Sequence, residues 1–171
     1  MKYLVVVLIV SYSIASQSYA EEHEKIKKTW ATFLNTVKHG NCTDFEKISY
    51  KQIRCYGCLE NTEAEYRWLS NLRETNDKWY EILYDDKIFI TPKQFCRDDL
   101  KIMFSDSFLN ILKTAKTSYH YVEREGSKLY EVLVITTKPG EVHPMHEGGQ
   151  HAFQFRLTDQ GYKFSELSTI P

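Results

Sequence analysis

Apolar residues recur at helical spacing in the first two thirds of the chain and at strand spacing in the last third. Ile26, Trp30, Phe33, Leu34 and Val37 make one stripe of an amphipathic helix, and Lys27, Lys28, Asn35 and Lys38 fill its other positions. Gly40 is placed to end that helix. Thr43 is expected to cap a short turn carrying Phe45 and Ile48, and Tyr50–Cys55 to form a first strand. Ala64–Arg73 has helical character, whereas the apolar run Trp79–Tyr84 is short enough to be helix or strand. Lys87–Ile90 reads as a strand. Thr91 as N-cap, Pro92 at the first helical position and Gln94 at the third predict a boxed helix start. Cys96, Leu100, Met103 and Phe104 line one face of that helix. Ser105 caps the next, whose stripe is Phe108, Ile111, Leu112 and Ala115.

After Lys116 the period falls to two. Tyr119–Glu123 and Lys128–Thr137 flank a turn in which Gly126 supplies the positive φ of a hairpin. Gln150–Leu157 and Tyr162–Thr169 flank Asp159-Gln160-Gly161 in the same manner. On the third of these strands His151, Phe153 and Phe155 share one face, with Gln154 and Arg156 on the other. Helices first and strands last predict an α+β fold, with N-terminal helices packed on an antiparallel sheet of about four strands. No internal repeat or linker interrupts it, so residues 21–171 are expected to form a single α+β domain.

Residues 1–20 belong to a different pattern. A basic start at Lys2, the apolar run Leu4–Val10 and the ending Ser18-Tyr19-Ala20 have the form of a signal peptide cleaved after Ala20. The apolar run is too short to span a bilayer, which predicts a secreted or periplasmic product with no membrane insertion after cleavage. The charge balance is 22 basic against 23 acidic residues, and the basic ones are interleaved with acids. Such a chain has no field to recruit nucleic acid. A composition of 42% hydrophobic and 26% charged residues is globular.

Outside the cytosol, Cys42, Cys55, Cys58 and Cys96 read as disulfide candidates, with three possible pairings. Cys55-Tyr-Gly-Cys58 has the spacing of a redox motif. It lacks the helix start that lowers a thiol pKa, because Leu59-Glu60-Asn61-Thr62 follows as a loop. A structural disulfide is therefore expected there, with thiol exchange as an alternative. Asn41-Cys42-Thr43 fits the N-glycosylation pattern.

Three stretches carry a family resemblance: Trp30-x-x-Phe33-Leu34-x-x-Val37-x-x-Gly40-Asn41, then Ile90-Thr91-Pro92-Lys93-Gln94-Phe95 followed by Phe104-x-x-x-Phe108, and Gln150–Phe155 through Gly161–Phe164. Together they resemble the nuclear transport factor 2-like superfamily, and in particular secreted bacterial members of unknown function. The resemblance implies a cone: helices covering a strongly bent antiparallel sheet, with a pocket between them. It also implies that a homodimer could form through the open face of the sheet. Superfamily enzymes use an acid/base pair on pocket-facing strands, for which His120 and His151 are the candidates here.

The densest candidate chemistry is His143-Pro-Met-His146-Glu147-Gly-Gly-Gln-His151. Three imidazoles within nine residues can bind metal, but glycines and Pro144 make this a loop without the helical spacing of zinc peptidases. No metal is favoured there, and no other cofactor is expected, since no nucleophile elbow, phosphate loop or dinucleotide fingerprint occurs. Tyr119, Tyr121, Phe153 and Phe155 are candidates to line a ligand pocket. The reading that follows is a non-enzymatic domain binding a small apolar ligand or a protein partner, with a histidine-based acid/base enzyme as the alternative.

Overall fold

The computed structural model describes residues 2–124 and 126–170, with side chains from Glu21 onward. The proposed signal segment therefore lies outside the described side chains. Helix α1 (Lys2–His39) ends at Gly40, whose φ of +65° turns the chain while its N–H still reaches Thr36 O at 3.2 Å. Helix α2 (Cys42–Ile48) is capped by Asn41 rather than by Thr43. The Asn41 side chain accepts the Asp44 N–H at 3.2 Å, and the helix starts two residues before the expected turn.

Strand β1 (Ser49–Cys55) leads through a tight turn at Gly57–Leu59 to helix α3 (Glu63–Thr75). Thr62 and Glu65 close a reciprocal capping box at its start. The ambiguous run 79–84 is helical, as α4 (Trp79–Ile82) continuing into a wider turn at Leu83–Lys87. Strand β2 is only Phe89–Ile90. Thr91 and Gln94 form the expected box on α5 (Pro92–Gln94), followed by a wide turn at Phe95–Asp99 and α6 (Leu100–Met103). In α7 (Asp106–Thr114) the buried residues are Leu109 and Leu112, while Ile111 is 38% exposed. Phe108, Leu109, Ile111 and Leu112 give this short helix more apolar positions than one face can bury, and its docking selects the inward pair.

Strands β3 (Thr117–Arg124), β4 (Ser127–Thr137), β5 (Gly149–Thr158) and β6 (Gly161–Ile170) form the expected antiparallel meander. The sheet is not limited to those four. It has six strands in the order β2-β1-β6-β5-β4-β3, because β1 adds to β6 in parallel and β2 adds to β1. Register irregularities interrupt the β1/β6, β4/β5 and β5/β6 ladders, and such breaks let a sheet bend.

The helices cover one face. Trp30 and Phe33 of α1 meet Phe153 and Phe164 at ring-centroid distances of 4.8 and 4.6 Å. Phe45 stacks on Phe95 at 5.2 Å beside them. Phe33, Phe153, Phe155 and Phe164 are essentially without solvent contact, so interlocking rings fill the space between helices and sheet. Two disulfides complete the frame. Cys42–Cys96 ties α2 to the turn after α5, and Cys55–Cys58 closes the turn after β1.

Candidate functional site

Because side chains alternate along a strand, the residues between the buried phenylalanines of β5 must point to the opposite face. There Gln154 and Arg156 fall into register with partners on every neighbouring strand. One row crosses the sheet as His120, Glu131, Gln154, Glu166 and Arg54. Within it the Gln154 amide Nε2 donates to Glu131 Oε2 at 2.9 Å, and Arg54 Nη1 donates to Glu166 Oε1 at 2.6 Å. Gln154 and Glu166 are only 4% and 8% exposed, so these bonds satisfy polar groups that water hardly reaches.

Beside this row lies a depression of about 400 Å³. Every residue bordering it belongs to a strand, and all six strands contribute. The edge strands reach it through Phe89 of β2 and Arg124 of β3, which requires the sheet to bend around it. Tyr50, Arg54 and Arg156 also border it. A second depression of about 540 Å³ shares Tyr50 and Arg156 and is also bordered by Lys128 and Asp159. The open face thus carries concave, polar and mainly cationic surface.

The residues singled out in the sequence are distributed rather than gathered. His120 lies exposed on the open face, opposite Glu131, with its Nε2 3.0 Å from Ser118 Oγ. His151 pairs with Val134 on the covered side, its Nδ1 2.9 Å from Thr136 Oγ1 and its ring 4.7 Å from Phe108. Burial holds the His151 imidazole below its ordinary pKa, which favours the neutral ring. The sheet lies between these two histidines. Phe153 and Phe155 are core residues, Tyr119 is half-buried with its ring edge-on to His23, and Tyr121 is 43% exposed.

His143 and His146 sit exposed in the loop after β4, where each Nδ1 accepts a backbone N–H two residues ahead. Among the described residues no group of three His, Cys, Asp or Glu side chains is placed to hold a metal ion. Cys55 and Cys58 are bonded to each other and buried, at 0% and 2% exposure. Of the residues around the depression, Tyr50, Lys51, Arg54, Arg124 and Arg156, none was singled out as a site residue in the sequence, because they come from three separate strands. The one available signal was the polar alternation of Gln154 and Arg156.

No family model matches the chain, and no curated protein matches it. Among solved structures, a designed chain titled Rd1NTF2_05, carrying five named substitutions, aligns at 13% identity with a TM-score of 0.38, over 87% of this chain and 99% of that one.

Proposed function

We propose that the chain is a non-catalytic binding domain that works outside the cytosol, as a secreted or periplasmic protein, and holds a ligand or protein partner on the open face of its sheet. One observation carries this reading. The centre of the space between helices and sheet is filled by packed rings, with a depression of about 260 Å³ at its margin between α1 and β6, whereas a larger one bordered by all six strands opens on the other side. Its polar border favours a polar ligand over the apolar one that the aromatic strands suggested. The two disulfides and the leader pattern of residues 1–20 support the location. Among the described residues no helix is long and apolar enough to cross a membrane.

The acid/base alternative draws no support from the imidazoles, which lie on opposite faces of the sheet. Thiol exchange draws none from a disulfide whose sulfurs are shielded from attack.

Native mass spectrometry of protein purified from its source tests the reading. The expected spectrum shows a bound molecule or partner, lost severalfold in Gln52→Trp, which places an indole into the depression from an exposed position. Undiminished retention by Gln52→Trp, or an empty chain with no partner, would refute it.

A further inference from the structure

Tyr50 carries two cations on its ring: the Arg156 guanidinium at 4.8 Å and the Lys51 ammonium at 5.8 Å. Arg124 borders the same depression from β3. Among the described residues Glu166 is the carboxylate on that border, and it is already bonded to Arg54. The second depression adds Lys128 and Asp159, one of each sign, so the excess of positive charge persists. The ring contact holds the guanidinium plane of Arg156, and its Nε is buried with no hydrogen-bond partner among the described residues. With Nε enclosed, the edge that Arg156 offers to the depression is that of its two terminal nitrogens, and such an edge held in a fixed plane is matched by a pair of oxygens on one anion.

We infer that this basin is an oxyanion site, in which Arg156, Arg124 and Lys51 receive a carboxylate, phosphate or sulfate group carried by the molecule the protein binds. The inference rests on the open face being the binding surface, and it adds the chemical class of the ligand. Arg156 supplies the two-pronged contact, with Lys51 and Arg124 as flanking charges. The second depression, which shares Tyr50 and Arg156 with the first, leaves room for the remainder of the molecule. A volume of about 400 Å³ suits a small anionic molecule or the charged end of a larger one.

The test is nuclear magnetic resonance of the ¹⁵N-labelled chain, following the arginine Nε–H signals during titration with inorganic phosphate, sulfate and citrate. Chloride at matched ionic strength is the control. The Arg156 signal is expected to move to saturation with at least one of the three, and the preferred probe tells a phosphate or sulfate site from a carboxylate site. Arg156→Gln should weaken that binding about tenfold or more, read from the Arg124 signal, and Arg156→Lys should restore only part of it. Arg124→Gln, at an exposed position, should weaken it severalfold in a chain that folds normally. A shift that never saturates, that chloride reproduces, or that Arg156→Gln and Arg124→Gln leave at the same affinity would overturn the oxyanion site. If Gln52→Trp still displaces the source-derived ligand in that case, the open face remains the binding surface and only the anion assignment falls.

Discussion

Asp99 is a carboxylate held where water hardly reaches it, at 4% exposure, with the Asn61 amide donating to its Oδ1 at 2.7 Å. Burial, with Glu65 and Asp98 adding negative charge nearby, outweighs that hydrogen bond and raises its pKa from 3.8 to about 6. The folded state therefore binds this proton more tightly than the unfolded state does. Between those two values the group's contribution to stability falls as pH rises, and above about 6 it settles at a constant penalty. Asp99→Asn keeps a carbonyl oxygen for Asn61 and removes the charge. It should stabilise the protein at neutral pH by on the order of 1–2 kcal/mol and have little effect at about pH 4. Urea denaturation of both chains at the two pH values checks this, and equal stability at neutral pH would remove the account. Nothing along the chain marks this residue. Asp99 is one of two adjacent aspartates, and only the packing decides that Asp98 faces solvent while Asp99 is enclosed. Arg156 is the reverse case: its side of the strand was legible, but its ring partner Tyr50 lies more than a hundred residues away.

Helices and turns were legible where a local bond defines them. The box at Thr91/Gln94, and the positive φ at Gly40, Gly126 and Gly161, involve residues within a few positions of each other, whereas the box at Thr62/Glu65 begins in a stretch that reads as loop. Boundaries slipped where two residues compete for one role. Asn41 took the cap from Thr43, and Leu109 took the inward place from Ile111. The disulfide pairing was open in the sequence and was settled by which elements meet. Cys42–Cys96 closes a span of 54 residues and Cys55–Cys58 a span of 3. Loop closure in the unfolded chain then predicts unequal effects. Replacing Cys42 and Cys96 by alanine should cost roughly 4 kcal/mol, and replacing Cys55 and Cys58 roughly 2 kcal/mol. Denaturant midpoints of the two double variants provide the comparison, and equal losses would contradict the loop argument.

For the whole molecule, the contacts of α1 bear on the leader. Glu22 accepts the Tyr162 hydroxyl at 2.6 Å, His23 meets the Tyr119 ring, and Ile26 is fully buried. The Tyr162 hydrogen bond, followed by that from Lys25, holds the Glu22 carboxyl below its ordinary pKa. Cleavage after Ala20 would leave these anchors on the mature chain, with Glu21, Glu22 and Glu24 near a helix start that favours negative charge. Protein recovered from its source should therefore begin at Glu21 and carry no free thiol. Intact mass before and after reduction reads both, and a mass that retains residues 1–20 would remove the signal assignment.

By itself the sequence determined the order of helices and strands, the apolar faces they bury and the even cysteine count, because those properties depend on neighbours a few residues apart. It underestimated the sheet, since the parallel contact of β1 with β6 joins segments more than a hundred residues apart and leaves no periodic mark on either. That pairing, with the register of the other strands, also brought Tyr50, Arg54, Arg124, Arg156 and Glu166 around one depression. Packed rings occupy the covered face, and the polar depression opens on the other. Which residues meet there is a matter of strand register, and register across distant segments is decided only when the sheet closes on its core.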